Sequence, residues 1–276
     1  MDNNGEIIVI GGKGGVGKTS LSAILVKLLL SRKLLVIDAD PVVSVTYSLG
    51  EKPLKTIGDY RESLINDPRQ KRAMMNKPMK SVIDEMVQTT TRGYDLLTMG
   101  RAEAKGCFCG INDLLRHGIQ TLCNDYDLSL IDCEAGIEQV NRRTVHRIDK
   151  LVLVSDSSRR GIEALAQVRD LAVKYNDGAP LQVVVVINRV CSQSERNSVT
   201  NTAAEFGLEV AAFIPEDPNV RSFNSQGIPL VDLPDDSLSI AALTRVAKLL
   251  LPANAPLHEY ADPPAESQAK TVTDVH

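Results

Sequence analysis

The chain has 276 residues, of which 43% are hydrophobic and only 4% aromatic, and its 31 Lys and Arg against 35 Asp and Glu leave a formal net charge of −4. This length suits one large α/β domain or two small ones, with enough Val, Ile, Leu and Ala to bury a sizeable core. The slight acidity excludes a dedicated nucleic-acid binder, no apolar run reaches the ~18 residues needed to span a membrane, and 5 cysteines in a chain this long make no disulfide framework.

A first strand starting at Glu6–Ile7 leaves no room for a signal peptide, and a reducing cytoplasm is the expected compartment. Strand-like runs follow in chain order at Ile7–Ile10, Leu34–Ile37, Leu96–Met99, Leu128–Ile131, Leu151–Val154, Val183–Ile187 and Val210–Ile214. Most are apolar without alternation, the pattern of strands covered on both faces. Helical spacing marks Lys18–Leu30, Ile162–Tyr175, Ser194–Phe206 and Asp236–Leu251. The order predicts right-handed βαβ crossovers and an α/β fold, a mainly parallel sheet flanked by helices. A polar, helix-prone insert covers about 51–93, one folded domain covers 1–252, and the polar, Pro-containing stretch 253–276 reads as a disordered tail.

The first strand runs into Gly12-Lys13-Gly14-Gly15-Val16-Gly17-Lys18-Thr19, and Ser20 continues into a helix. Phosphates need many donors at close range. Glycines at 12, 14, 15 and 17 let successive N–H groups turn inward around Val16, and the helix starting at Lys18 adds its dipole. Lys18 is expected to hold the β- and γ-phosphates of ATP, and the Thr19 hydroxyl to ligate Mg²⁺. Carboxylates close two later strands: Asp38 and Asp40 in Val-Ile-Asp-Ala-Asp-Pro, and Asp132 in Leu-Ser-Leu-Ile-Asp. Ligands of open parallel sheets sit at that edge.

Lys13 is not required by the basic phosphate loop. With it, the segment Lys13-Gly14-Gly15-Val16-Gly17-Lys18-Thr19 resembles the deviant P-loop ATPases: MinD and ParA proteins, the nitrogenase iron protein and metal-chaperone relatives, of the MinD-like (SIMIBI) NTPase type. The resemblance implies a homodimer in which Lys13 reaches the partner's nucleotide, a second positive charge supplied where phosphoryl charge develops. It implies that Asp40 orients the attacking water, that Asp38 and Asp132 lie near the Mg²⁺ shell, and that Gly136 is the switch II glycine. It also implies that Asn188 reads adenine and that the loop at Pro215 cradles the base. An amide suits an adenine edge because it carries both a donor and an acceptor.

Gly106-Cys107-Phe108-Cys109 adds a different chemistry. In an extended segment Cys107 and Cys109 face one side, and two thiolates are half of a tetrahedral site. A two-fold homodimer would complete an S₄ set suited to Zn²⁺, Ni²⁺ or an iron–sulfur cluster. The stretches Met99-Gly100-Arg101, Cys107-Phe108-Cys109, Asn112–Arg116 and Ile131–Glu138 resemble the CooC-type ATPases, over about residues 6 to 250, although residues 139–142 depart from that pattern. That resemblance implies an ATP-dependent metallochaperone inserting nickel into a client such as carbon monoxide dehydrogenase, with no nucleic-acid or membrane partner. Two alternatives share the nucleotide motifs. One is an ATP-driven reductase with an intersubunit [4Fe–4S] cluster, for which Cys133 is offset from the required position; the other is a MinD/ParA-like positioning ATPase. Cys123, Cys191, His117, His146, His258 and His276 have no ligand spacing.

Overall fold

The computed structural model describes residues 5–67, 69, 72, 77–101, 109–133, 144–145 and 147–251. Eight strands are joined in one sheet: β1 (Glu6–Gly12), β2 (Leu34–Asp38), β3 (Gln88–Thr89), β4 (Tyr94–Thr98), β5 (Leu128–Asp132), β6 (Lys150–Ser155), β7 (Gln182–Asn188) and β8 (Val210–Ile214). Their spatial order is β3–β4–β2–β5–β1–β6–β7–β8, and every pairing is parallel except the short edge contact of β3 with β4.

The unbroken apolar look of the strands has a simple cause. Successive side chains point to opposite faces, and both faces are covered. Ile7, Val9, Leu35, Ile37, Ile131, Leu151 and Leu153 enter one core, while Ile8, Ile10, Leu34, Val36, Leu128, Leu130 and Val152 enter the other. The first core is closed by α3 (Ile57–Asn66), α4 (Met79–Asp84), α5 (Cys109–Cys123), α6 (Arg159–Tyr175) and α7 (Gln193–Glu205). The second is closed by α1 (Lys18–Leu29) and α9 (Leu238–Leu250), with α2 (Ser44–Ser48) and α8 (Pro218–Gln226) at the strand ends. Helix α1 packs on β1, β2 and β5 and against α9, which itself lies on β8, so Leu21, Ile24, Leu25, Leu28 and Leu29 are all buried and it is apolar nearly all round. Each such Leu or Ile contributes about 1.5–3 kcal/mol by leaving water.

All seven strand runs read from the sequence are strands here, and the stretches read as helical hold helices. The insert is mixed rather than helical throughout. It holds α3, whose start is fixed by a reciprocal cap (Asp59 N to Thr56 Oγ1, 2.9 Å; Thr56 N to Asp59 Oδ2, 3.1 Å), then α4, then the antiparallel β3. A strand of two residues is too short to show any periodicity. The stretch expected to be a disordered tail lies outside the described residues.

Candidate nucleotide site

Strands β2 and β5 end level with one another, Asp38 beside Asp132, while β1 passes Asp132 at Ile10 and runs two residues further, to Gly12. The chain then turns from β1 into α1 through the glycine-rich loop. Gly12 has φ 138°, and a Cβ there would lie 2.1 Å from the Val154 carbonyl oxygen, so this exit from the sheet admits glycine only. At the other end of the loop Gly17 has φ 93°, and the space its side chain would fill is taken by the Asn188 amide. Lys18 is buried, and its ammonium donates to the Lys13 carbonyl at 2.9 Å, across the concavity of the loop.

One turn into α1 the site becomes a hydroxyl–carboxylate cluster. Thr19 Oγ1 donates to Asp132 Oδ2 at 3.1 Å, and Ser22 Oγ donates to Asp132 Oδ1 at 2.6 Å. Burial pushes the Asp132 carboxyl up to about 7, and the neighbouring Asp38 charge adds to this; the two hydroxyls and Lys18 offset only part of it. A buried carboxylate beside a threonine hydroxyl is a set of hard oxygen donors, and the Thr19–Asp132 pair fits a Mg²⁺ ion accompanying nucleotide phosphates.

Asp38 has other partners. Its Oδ2 accepts from Thr46 N (2.9 Å) and Thr46 Oγ1 (2.7 Å), and its Oδ1 from Asp40 N (3.2 Å). Burial raises its pKa against these hydrogen bonds. Asp40 is also buried, with Oδ1 accepting from Val42 N (2.8 Å) and Oδ2 from Ser44 Oγ (2.6 Å). Between them Val43 sits at φ 61°, a left-handed conformation that costs a β-branched residue energy.

Lys13 is 44% exposed, and its ammonium pairs with Asp156 Oδ2 at 3.3 Å, just beyond β6. Burial pushes the Asp156 carboxyl up, but Ser158 hydroxyl and N–H donors and the Lys13 charge outweigh it and hold the group below its ordinary value. On the far side of the loop a cavity of 530 Å³ is lined by Gly17, Ser20, Asn188, Pro215, Asp217 and Val220, with α8 along its wall. Asp217 sets that wall: it caps α8 through Asn219 N (2.9 Å) and accepts from Ser239 N (2.8 Å) and the Ser237 hydroxyl.

The structure thus gathers Gly12, Lys13, Gly14, Gly15, Val16, Gly17, Lys18, Thr19 and Ser20 with Asp132, Asn188 and Pro215 at one edge of the sheet, with Asp38 and Asp40 alongside. Gly136 and Cys107 lie outside the described residues, and Cys109 opens α5 without its side chain being described. Among the described residues no group of three or more His, Cys, Asp and Glu is placed to hold a metal ion. Cys133 is 2% exposed and packed in the core, and burial pushes its thiol well above its ordinary value. Burial likewise holds the Cys123 thiol up at about 11, and His117 is exposed. Sequence reasoning missed Asp156, Ser22 and Thr46. Ser22 was accessible from spacing, being one turn after Lys18 on the same face; Thr46 reaches Asp38 through the local turn after β2, eight residues on, and Asp156 meets Lys13 only through the tertiary fold.

Residues 7–230 match the model of the CobQ/CobB/MinD/ParA nucleotide binding domain. The chain belongs to that family. It is a MinD/ParA-type P-loop ATPase. An uncharacterized ATP-binding protein of Methanocaldococcus jannaschii is 35% identical over 255 residues, 89% of this chain and 98% of that protein. The carbon monoxide dehydrogenase accessory protein CooC of Rhodospirillum rubrum is 28% identical over 247 residues, 82% of this chain and 89% of its own length. Among solved structures, the MinD cell division protein of Aquifex aeolicus aligns with TM-score 0.65 at 24% identity, covering 92% of this chain and all of that one, a likeness of fold.

Proposed function

We propose that this ATPase works as a nucleotide-driven homodimer that carries a thiophilic metal ion, with nickel for a client enzyme such as carbon monoxide dehydrogenase as its cargo. The observation that carries this reading is the Cys107-Phe108-Cys109 pair in the sequence, of which Cys109 opens α5, in a chain 28% identical to a carbon monoxide dehydrogenase accessory protein. The burial of Cys133 argues against the cluster-bearing reductase. That reading needs a second cysteine free to approach a subunit interface, and this thiol is enclosed in the core.

The residues at the sheet edge supply the switch. Loop N–H groups and Lys18 bind the triphosphate, with Lys18 exchanging the Lys13 carbonyl for phosphate oxygens. Thr19 and Asp132 would hold Mg²⁺, which supplies charge neutralisation at the phosphates. Lys13 leaves Asp156, an exposed ion pair of small worth, and extends to the partner's nucleotide. Asp40 orients the attacking water once the Asp40–Thr46 loop rearranges around bound nucleotide. Dimer closure brings Cys107 and Cys109 beside their symmetry mates, so metal affinity follows nucleotide state and falls at low pH as the thiolates protonate.

Anaerobic protein loaded with Mg²⁺ and a non-hydrolysable ATP analogue, then sized by light scattering and assayed for metal and sulfide, tests this. The expected result is a dimer with one nickel or zinc and no sulfide. A Cys107→Ala/Cys109→Ala variant that keeps its metal would sink the cargo reading, and stoichiometric iron and sulfide would replace it with the reductase. Lys13→Ala should stay monomeric and lose turnover by about 10³-fold while still binding ATP. A Lys13→Ala protein that dimerises normally refutes the trans lysine.

A further inference from the structure

We propose that Asn188 is a positioning residue for the phosphate loop, bridging it to the base cavity so that the loop is held open for a triphosphate whether or not a base is present. This stands on the nucleotide site alone and is independent of the metal cargo. The amide's orientation is fixed by its partners. Its Oδ1 accepts from Arg189 N at 3.0 Å, and its Nδ2 donates to the Val16 carbonyl at 2.8 Å. The opposite orientation would set an amide oxygen against a carbonyl oxygen and an amide N–H against a backbone N–H.

Two backbone features accompany this bridge. Arg189 has φ 60°, a left-handed conformation for a residue with a side chain, and its N–H meets the Asn188 oxygen. Gly17 has no side chain, and an added Cβ would stand 2.6 Å from Asn188 Nδ2. The amide is therefore seated on the loop, not merely beside it. Gly14, Gly15 and Gly17 give the loop conformational freedom that must be lost when phosphates bind. A fixed hydrogen bond at Val16 removes part of that freedom beforehand and lowers the cost of binding. One N–H and one lone pair of the amide stay available to a base in the cavity lined by Asn188, so base contact and loop geometry share one side chain.

The test uses a ligand with no base. Mg²⁺ with tripolyphosphate, ATP and GTP is titrated calorimetrically into the wild type, Asn188→Ala and Asn188→Leu, the last keeping most of the side-chain bulk without a donor. Loss of one hydrogen bond to the loop should weaken tripolyphosphate by roughly five- to tenfold in both variants. Thermal unfolding without ligand, measured beside the titrations, separates this from a defect of folding alone, which lowers the unfolding temperature and leaves the folded fraction's affinity intact. Tripolyphosphate affinity at the wild-type level, with preference for ATP over GTP lost, would overturn the proposal and leave Asn188 a reader of the base only. Unchanged affinity for all three ligands would overturn it as well.

Discussion

Asp38 and Asp132 end adjacent parallel strands, stand side by side in register, and are both almost fully buried. Their surroundings differ. Asp132 faces the phosphate-loop helix and is met by two hydroxyls, Thr19 and Ser22. Asp38 faces the chain that follows its own strand and is met by Thr46 N, Thr46 Oγ1 and Asp40 N. The first is the carboxyl proposed above to meet a cation delivered with the nucleotide. The second holds the Asp40–Thr46 loop down. Two equal positions at a strand end become a proposed ligand and an anchor because different elements pass over them.

Replacing the ligand should have the largest effect. Asp132→Asn keeps the shape and loses the charge, and Mg²⁺-dependent ATP hydrolysis should fall by about 100-fold; phosphate release within a few-fold of wild type would remove Asp132 from the site. The same variant separates activity from stability. In the metal-free protein Asp132 holds a proton up to about pH 7, whereas in the unfolded chain it ionises near its ordinary 3.8. The folded state therefore binds more protons between those values, and this group's contribution to stability falls as pH rises through that window. With chelator present, Asp132→Asn should unfold at a higher temperature than wild type at neutral pH, with the gap closing toward pH 4. A gap independent of pH contradicts the assignment.

Loosening the anchor should cost stability and spare nucleotide affinity. Thr46→Val removes the hydroxyl bonded to Asp38 and should destabilise by about 1–2 kcal/mol in urea unfolding, because a buried carboxylate loses a donor. Comparable loss of ATP affinity in this variant would erase the distinction between anchor and ligand. The smallest effect lies within the anchored loop. Val43→Gly relieves a left-handed β-branched residue and should stabilise the nucleotide-free protein by about 0.5 kcal/mol, the relieved strain slightly exceeding glycine's added chain entropy. Destabilisation instead would mean that Val43 packing, not its φ, governs the position.

How much was legible follows from the range of each signal. The strands at Ile7–Ile10, Leu34–Ile37 and Leu128–Ile131 announce themselves because parallel strands covered on both faces must be apolar throughout. The loop Gly12–Thr19 is legible because backbone donation to phosphate leaves little freedom in residue type. β3 was not legible, being two residues whose strand state depends on Leu96 and Asp95 opposite. Asp156 gave no motif: its pairing with Lys13 spans 143 residues and arises because β6 lies beside β1.

The sequence by itself determined the α/β class, the positions of every described strand but β3, the phosphate loop, and the aspartates at the strand ends, since each is written in local periodicity or in contiguous residue types. Only the tertiary structure decided which aspartate faces the loop hydroxyls and which is spent on Thr46, and that the Asn188 amide sits on Gly17 and Val16. It also decided that Cys133 is closed in the core. These are matters of which elements pack against which, and hydrogen bonds such as Ser22 to Asp132 and Asn188 to Val16, between residues over a hundred positions apart, leave no trace in local spacing.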